Sequence, residues 1–340
     1  MHLVELTRRM VDIESTTGGE REVALFLAAH LREMGAQVSV EEAAPERPNV
    51  FAFFAAPGST DASGGSPVVT LSTHCDTVPP YMPSSEDREY VYGRGSCDAK
   101  GIIAAQIKAA EQLRAEGRGN FALLFVVGEE RDSAGAAYAN QHPRGSRFLI
   151  NGEPTENRLA LGSKGALRPV FEARGRMAHS AYPELGESAI EKLVTALALL
   201  RDIPMPEDAV LGCSTYNIGT IEGGRAPNVV PDYARAELLF RLVGPSLPLK
   251  EAIARAVEGL VDVSYVLEIP ALRLEAMDGF PTTVVSFTTD IPALSNWGRP
   301  FLVGPGSILV AHTDREKVAK RDLEQAVAIY SEMARRLLSA

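Results

Sequence analysis

The sequence predicts an α/β protein in which a mostly parallel sheet is flanked by helices and interrupted by a smaller inserted α+β domain. The chain has 340 residues, which is more than one hydrophobic core usually fills. Short apolar runs, typical of strands buried on both faces of a sheet, alternate with helical periodicity. This alternation changes after about Ser163 and returns towards the C-terminus. We therefore expect a discontinuous larger domain at 1–163 and 273–340, with an inserted domain at 164–272.

The larger domain begins with two helices and continues as alternating strands and helices. Apolar residues recur every three or four positions in Leu3–Ser15 and Glu20–Met34, which predicts amphipathic helices. A loop rich in glycine, serine and proline follows at Ala56–Pro67. The remaining elements predicted here are strands at Gln37–Glu41, Asn49–Phe54, Val68–Leu71, Phe121–Val127, Phe148–Ile150 and Phe301–Val303, and helices at Ala99–Glu116 and Arg321–Leu338.

The inserted domain has a different order of elements. Strands are predicted at Ala166–Ala173, Ser214–Ile221, Ala234–Leu242 and Val263–Ile269, and helices at Glu187–Arg201 and Leu249–Leu260. The resulting order, β-α-β-β-α-β, is that of the split unit in ferredoxin-like domains.

Composition excludes several classes of protein. The balance of 34 basic against 44 acidic residues gives a net charge of −10, which argues against a nucleic-acid-binding protein. No apolar stretch approaches the roughly 20 residues needed to span a bilayer, and the N-terminal segment lacks the features of a secretory signal. The three cysteines form neither an even framework nor a CxxC pair, which favours a reducing compartment. We therefore expect a cytoplasmic protein that binds neither nucleic acid nor membrane.

Polar clusters follow the predicted strands. His74 and Asp76 come directly after a buried strand, and extended backbone places both side chains on one side. Asp76 could therefore orient His74 or bind a metal itself. Asp98 lies in a glycine-rich turn before a helix, where it could be an N-cap or a carboxylate that bridges metal ions. An acidic residue does not suit the remaining interpretation, a phosphate cradle.

Further carboxylates and a histidine lie in equivalent places. Glu129 and Glu130 end an apolar strand, so they are either solvated in a loop or compensated by a divalent cation, which leaves one of them as a proton acceptor. Glu153 follows the next strand, and His312 precedes the C-terminal helix. Histidines and carboxylates that recur at strand ends are the ligand set of a zinc-type site.

These segments resemble a known family when taken together and in order. They read HxDT-VP from His74, GRG-x-x-DxKG around Asp98, GEE at 128–130, GEPT around Glu153 and GPG-x(5)-H ending at His312. They are similar to the dinuclear zinc metallopeptidases that include acetylornithine deacetylase, succinyl-diaminopimelate desuccinylase, aminoacylase and the carboxypeptidase G type. The resemblance implies a zinc-hydrolase catalytic domain at 1–163 and 273–340 and a dimerisation or lid domain at 164–272.

The resemblance also implies a set of metal ligands. Two Zn²⁺ ions are expected, for which Co²⁺ could substitute. On the matching positions of this sequence, His74 and Glu153 bind one ion, Glu130 and His312 bind the other, and Asp98 bridges both.

Catalytic residues follow from the same resemblance. Glu129 is expected to be the general base, and Asp76 is expected to orient His74. The peptide bond between Asp98 and Ala99 is expected to be cis, as is usual in the family.

The inserted domain supplies further candidates by resemblance. His179 matches a histidine that reaches the active site of the partner subunit, so a homodimer through this domain is expected. Asn228 and Arg241 match residues that bind the substrate's carboxylate, a role that suits the planar fork of arginine. One departure is Leu239, which stands where the family usually has an acidic residue.

The function expected from this resemblance is removal of an N-acyl group from an amino acid. Residues 288–292 and 304–307 resemble deacetylases of N-acetylornithine or N-acetylcitrulline, with a place in arginine biosynthesis, more than desuccinylases. A desuccinylase, a dipeptidase or a carboxypeptidase on the same fold is the alternative. A catalytically silent metal-binding protein is a third reading, but it predicts lost ligands or a lost base, and all of them are present.

Overall fold

The computed structural model describes residues 1–57 and 65–340, so part of the predicted loop Ala56–Pro67 lies outside the described residues. The chain divides into two compact units. Unit 1 comprises Met1–Leu161, Leu274–Thr283 and Thr289–Ala340. Unit 2 comprises Gly162–Arg273 and Val284–Thr288.

The main sheet of unit 1 has parallel strands at its centre. Its strand order is Gln37–Ala44, Arg47–Phe54, Phe121–Val126, Val69–His74, Phe148–Asn151 and Arg299–Leu302. The first three strands of this order pair antiparallel, and the remaining pairs are parallel. The predicted mostly parallel sheet is therefore confirmed. Every residue of Phe121–Val126 is buried, because helices cover both faces of the sheet.

The helices of unit 1 are Leu3–Val11, Arg21–Glu33, Lys100–Ala115, Ala134–Gln141 and Lys320–Leu338. Lys100–Ala115 packs against the first and the last of these and against strand Val69–His74. Its Ile102, Ile103 and Ile107 are fully buried, and each stabilises the fold by about 1.5–3 kcal/mol. Because this helix begins two residues after Asp98, its packing fixes the turn that carries that carboxylate. No helix in the described ranges is long and apolar enough to cross a membrane.

Several short elements were not predicted from the sequence. Their bounds are Ser85–Glu86, Tyr90–Tyr92, Leu159–Ser163, Leu272–Arg273, Thr282–Val285 and Lys317–Ala319 for strands, with Ile291–Leu294 as a 3₁₀ turn. Lys317–Ala319 pairs antiparallel with Tyr90–Tyr92. Strands of two to five residues are too short for a periodic pattern to identify them.

Unit 2 contains an antiparallel sheet in the order Thr215–Gly223, Tyr233–Leu242, Gly165–Arg174 and Asp262–Ile269. Its helices are Ala189–Leu199 and Leu247–Ala256, its 3₁₀ turns are Pro183–Leu185 and Leu200–Asp202, and its short strands are Ala178–His179, Glu207–Asp208, Gly212–Cys213 and Val229–Val230. Residues along Tyr233–Leu242 alternate between buried and half-buried, because one face of the sheet packs on the helices. The predicted β-α-β-β-α-β order is observed.

Candidate active site

Four candidate site residues of unit 1 lie where its parallel strands end. His74 is the last residue of Val69–His74, Glu129 and Glu130 follow Phe121–Val126, and Glu153 lies two residues beyond Phe148–Asn151. Because neighbouring parallel strands end at the same edge of the sheet, their following residues converge there.

His74 is buried, and each of its two ring nitrogens contacts an aspartate. Nδ1 lies 3.1 Å from the backbone oxygen of Asp76, and Nε2 lies 2.9 Å from Oδ1 of Asp98. A carbonyl oxygen can only accept a hydrogen bond, so Nδ1 carries a proton and donates it to Asp76. Without a metal, Nε2 also carries a proton and donates it to the Asp98 carboxylate, and a cation bound beside Asp98 would take the place of that proton.

Asp98 contacts a second histidine with its other oxygen. Oδ2 lies 3.4 Å from Nε2 of His312, which is also 2.9 Å from Oε2 of Glu130. The two oxygens of one buried carboxylate thus face two histidines from different segments, as bridging requires. The peptide bond between Asp98 and Ala99 is cis, as expected.

The donor set and its charges fit divalent cations. Ligand atoms of His74, Asp98 and Glu130 all lie within 4.8 Å of one another. Burial raises the pKa of Glu129 well above its ordinary value, and the charges of neighbouring carboxylates add to the rise. Burial and the charge of Glu129 likewise raise the pKa of Glu153. Cations would offset this excess of buried negative charge. Imidazole with carboxylate suits zinc, cobalt or manganese, and zinc stays the predicted metal.

Asp98 carries its charge more readily than these glutamates. Burial alone would raise the pKa of Asp98, but its hydrogen bonds with His312 and His74 outweigh that effect and hold the pKa below its ordinary value. An ionised carboxylate is the form that two cations can share.

Asp76 also holds the turn that carries the two glutamates. Its Oδ1 accepts a hydrogen bond from the backbone N–H of Glu129 at 3.1 Å, and its Oδ2 accepts one from that of Glu130 at 3.2 Å. Thr17 donates to Oδ2 at 2.8 Å. Oδ1 lies 3.4 Å from Nδ1 of His74. Asp76 therefore fixes the turn and stands beside the histidine ring; the sequence suggested only the second contact.

A buried ion pair supports the same turn and was missed from the sequence. Arg47 makes a forked contact with Glu20, with N···O distances of 2.7–3.1 Å. Gly128 precedes the two glutamates with φ +84°, and a Cβ there would lie 2.6 Å from Nη2 of Arg47. Only glycine suits this position. No motif marks Arg47 or Glu20, because their roles depend on contacts between distant segments.

His179, Asn228 and Arg241 lie in unit 2. Short strands pair His179 with Val229, which brings His179 close to Asn228 within the unit, and both are exposed. The Nδ1 of His179 accepts a hydrogen bond from the N–H of Ala181 at 3.1 Å. The neutral ring therefore carries its proton on Nε2, where it can donate.

Arg241 lies in strand Tyr233–Leu242 and is half-buried. Burial lowers the pKa of its guanidinium. Within the described ranges, no carboxylate forms an ion pair with this guanidinium. A partly desolvated arginine without an anion can receive one from a ligand.

Comparison with known proteins agrees with this fold. The family model described as peptidase family M20/M25/M40 matches residues 70–336. A peptidase M20 domain-containing protein of Schizosaccharomyces pombe is 38% identical over 347 residues, which cover 98% of this chain and 84% of that protein. A probable carboxypeptidase of Aspergillus fumigatus is 38% identical over 376 residues, which cover 97% of this chain and 86% of that protein.

Solved structures share the fold over nearly the whole chain. A tripeptidase of Staphylococcus aureus superposes with a TM-score of 0.83 at 20% identity, covering 99% of this chain and 98% of that one. A dinuclear metal-binding peptidase of the M20 family from Bacillus subtilis gives a TM-score of 0.75 at 15% identity, covering 99% and 98%.

The family and these relatives are named as peptidases or carboxypeptidases, and the histidines and carboxylates at the edge of the sheet agree with that chemistry, so the protein is a hydrolase of amide bonds. The chain belongs to peptidase family M20/M25/M40. The predicted membership of a metallopeptidase family is thereby confirmed. A particular likeness to acetylornithine deacetylase is not supported, because these relatives are named as peptidases or carboxypeptidases.

Proposed function

We propose that this protein is a metal-dependent peptidase that cleaves the bond before the C-terminal residue of short peptides. The observation that carries the proposal is the convergence of His74, Asp98, Glu130 and His312 around shared contacts, with Glu129 beside them. Such a cluster suits hydrolysis of an amide. Arg241 supports cleavage at the C-terminal end of the peptide, where the substrate has a free carboxylate. Its guanidinium is half-buried without an anionic partner among the described residues.

We propose that His74 and Glu153 would hold one divalent ion, that Glu130 and His312 would hold a second, and that Asp98 would be a ligand of both. When bound, these ions would lower the pKa of a water molecule and polarise the scissile carbonyl.

The protein's own groups perform the remaining steps. The Glu129 carboxylate accepts a proton from the attacking water and returns it to the departing amine nitrogen. Asp76 keeps Glu129 in place through the backbone N–H. Nε2–H of His179 donates to the carbonyl oxygen as negative charge develops on it. Arg241 and Asn228 bind the terminal carboxylate of the substrate and set which bond is cleaved.

The expected N-acetyl-amino-acid substrates use the same groups. N-acetylornithine and a dipeptide both present an amide bond next to a free carboxylate, so the catalytic cluster does not distinguish them. The names of the relatives, peptidase and carboxypeptidase, support peptides instead. We therefore favour the dipeptidase or carboxypeptidase alternative over the deacetylase.

A substrate panel with added zinc or cobalt tests this choice. We expect kcat/KM for dipeptides and tripeptides to exceed that for N-acetylornithine, N-acetylcitrulline and N-succinyl-diaminopimelate. Peptides with an amidated C-terminus are the matched control, and they should lose about tenfold to a hundredfold because the charged hydrogen bonds to Arg241 are lost. A preference for N-acetylornithine would favour the deacetylase function over the peptidase function. Equal turnover of amidated peptides would contradict binding of the substrate's carboxylate by Arg241.

We further propose a homodimer formed through the inserted domain, in which His179 acts in the partner subunit's site. His179→Ala and Glu129→Gln should each be inactive alone. Mixing them should recover roughly a quarter of wild-type activity, because random exchange makes half of the dimers mixed and each mixed dimer has one complete site. If His179 acts within its own subunit, mixing recovers nothing. An active monomer in sedimentation analysis would also contradict the proposal.

A further inference from the structure

A buried carboxylate outside the candidate ligand set contacts the turn that carries Asp98. Glu316 is 1% exposed. Its Oε1 accepts hydrogen bonds from three backbone N–H groups of one turn, those of Gly95 at 2.8 Å, Cys97 at 3.2 Å and Asp98 at 3.2 Å. The turn therefore wraps around this oxygen. A backbone N–H that donates within a turn fixes the orientation of the residue that bears it.

Arg94 holds the other oxygen of Glu316. Its Nη1 lies 2.5 Å from Oε2, and its side chain is also buried. The Nε of Arg94 donates to the backbone oxygen of Pro80 at 3.3 Å, and the backbone N–H of Arg94 donates to the backbone oxygen of Met82 at 3.1 Å. The ion pair therefore joins the segment that follows Asp76, the Asp98 turn and the segment of Glu316.

The segment of Glu316 also carries His312. The backbone oxygen of Glu316 accepts from Gly93 at 3.2 Å, and the strand that follows, Lys317–Ala319, pairs with Tyr90–Tyr92. Glu316 thus fixes the spacing between the turn of Asp98 and the segment of His312. Oδ2 of Asp98 lies 3.4 Å from Nε2 of His312.

We propose that Glu316, held by Arg94, is a positioning residue that sets the metal affinity of the site by orienting Asp98. The inference rests on the metal centre of the proposed function. Asp98 has to face His74 with one oxygen and His312 with the other, so a small rotation of its turn weakens both contacts. Loss of a group that orients a metal ligand typically costs about 10- to 100-fold in affinity.

Metal affinity tests the proposal without reference to turnover. The full-length protein is depleted of metal with a chelator and titrated with Co²⁺ by calorimetry, and the visible absorption of bound Co²⁺ is recorded. Glu316→Gln keeps the shape of the side chain but removes the ion pair with Arg94. We expect its Co²⁺ affinity to fall about 10- to 100-fold, with an altered absorption spectrum. Arg94→Lys retains the positive charge without the planar guanidinium group. We expect a smaller loss of Co²⁺ affinity in this variant than in Glu316→Gln.

Leu27→Ala is the control for a purely structural effect. Leu27 is fully buried in the core of the same unit, on helix Arg21–Glu33. This variant should lower Tm while keeping the affinity and spectrum of the wild type. Wild-type affinity in Glu316→Gln, or an equal loss in Leu27→Ala, overturns the inference. If Glu316→Gln does not fold, Arg94→Lys decides by the same comparison. Failure of the wild type to bind Co²⁺ would instead contradict the proposed function.

Discussion

Glu129→Gln is expected to lower kcat by about a hundredfold to ten-thousandfold while metal binding stays unchanged, which is the range that a positioned proton acceptor contributes. Glutamine has the shape of glutamate but cannot accept the proton of the attacking water. The backbone N–H of residue 129 still donates to Asp76, so the turn keeps its place.

The adjacent Glu130 provides the matched control. Its Oε2 contacts Nε2 of His312 at 2.9 Å, and we propose that it binds metal. Glu130→Gln should therefore lose metal affinity, whereas Glu129→Gln should not. The measurements are kcat at saturating metal and metal content after dialysis. A kcat near that of the wild type in Glu129→Gln would remove Glu129 as the base.

The sequence predicted most of the fold because its long elements carry a strong periodic signal. The predicted helix Ala99–Glu116 agrees within one residue at each end with the observed Lys100–Ala115. Its alanine, leucine and glutamine residues favour a helix, and the helix is buried on several sides because it packs against two helices and the sheet. Short pairs such as Lys317–Ala319 with Tyr90–Tyr92 have no pattern of their own. They form because the segments meet in three dimensions.

The candidate site also contains residues that the sequence predicts and residues that it does not. The candidate ligands of unit 1 could be identified because each lies in a short motif, either after a buried strand or in a turn, and the order of those motifs is specific. Glu316, which holds the Asp98 turn, lies in no such motif, and its partner Arg94, 222 residues away, lies in the GRG motif without any local sign of the contact. Glu20 and Arg47 are a second example. A residue that acts through the backbone of a distant turn leaves no local signal, so only coordinates reveal it.

Asp98→Asn is expected to remove metal from both sites and to reduce turnover to background. Among the residues that the structure describes, Asp98 is the only carboxylate whose two oxygens face different histidines, at 2.9 Å and 3.4 Å. Asparagine replaces one oxygen with an NH₂ group, which cannot bind a cation, and it removes the negative charge. The loss of affinity should exceed the roughly 10- to 100-fold that follows loss of an orienting group.

Asp278→Asn is the control, because Asp278 is an exposed aspartate of the same unit that is not a candidate ligand. It should bind two ions with wild-type affinity. Two ions bound by Asp98→Asn with unchanged affinity would contradict the bridging role. Asp98→Asn and Glu129→Gln should both lose at least 99% of the turnover, roughly the hundredfold that a positioned proton acceptor contributes, yet only the first should lose metal. This opposite metal content separates a carboxylate that holds cations from one that moves a proton, a distinction that activity alone cannot make.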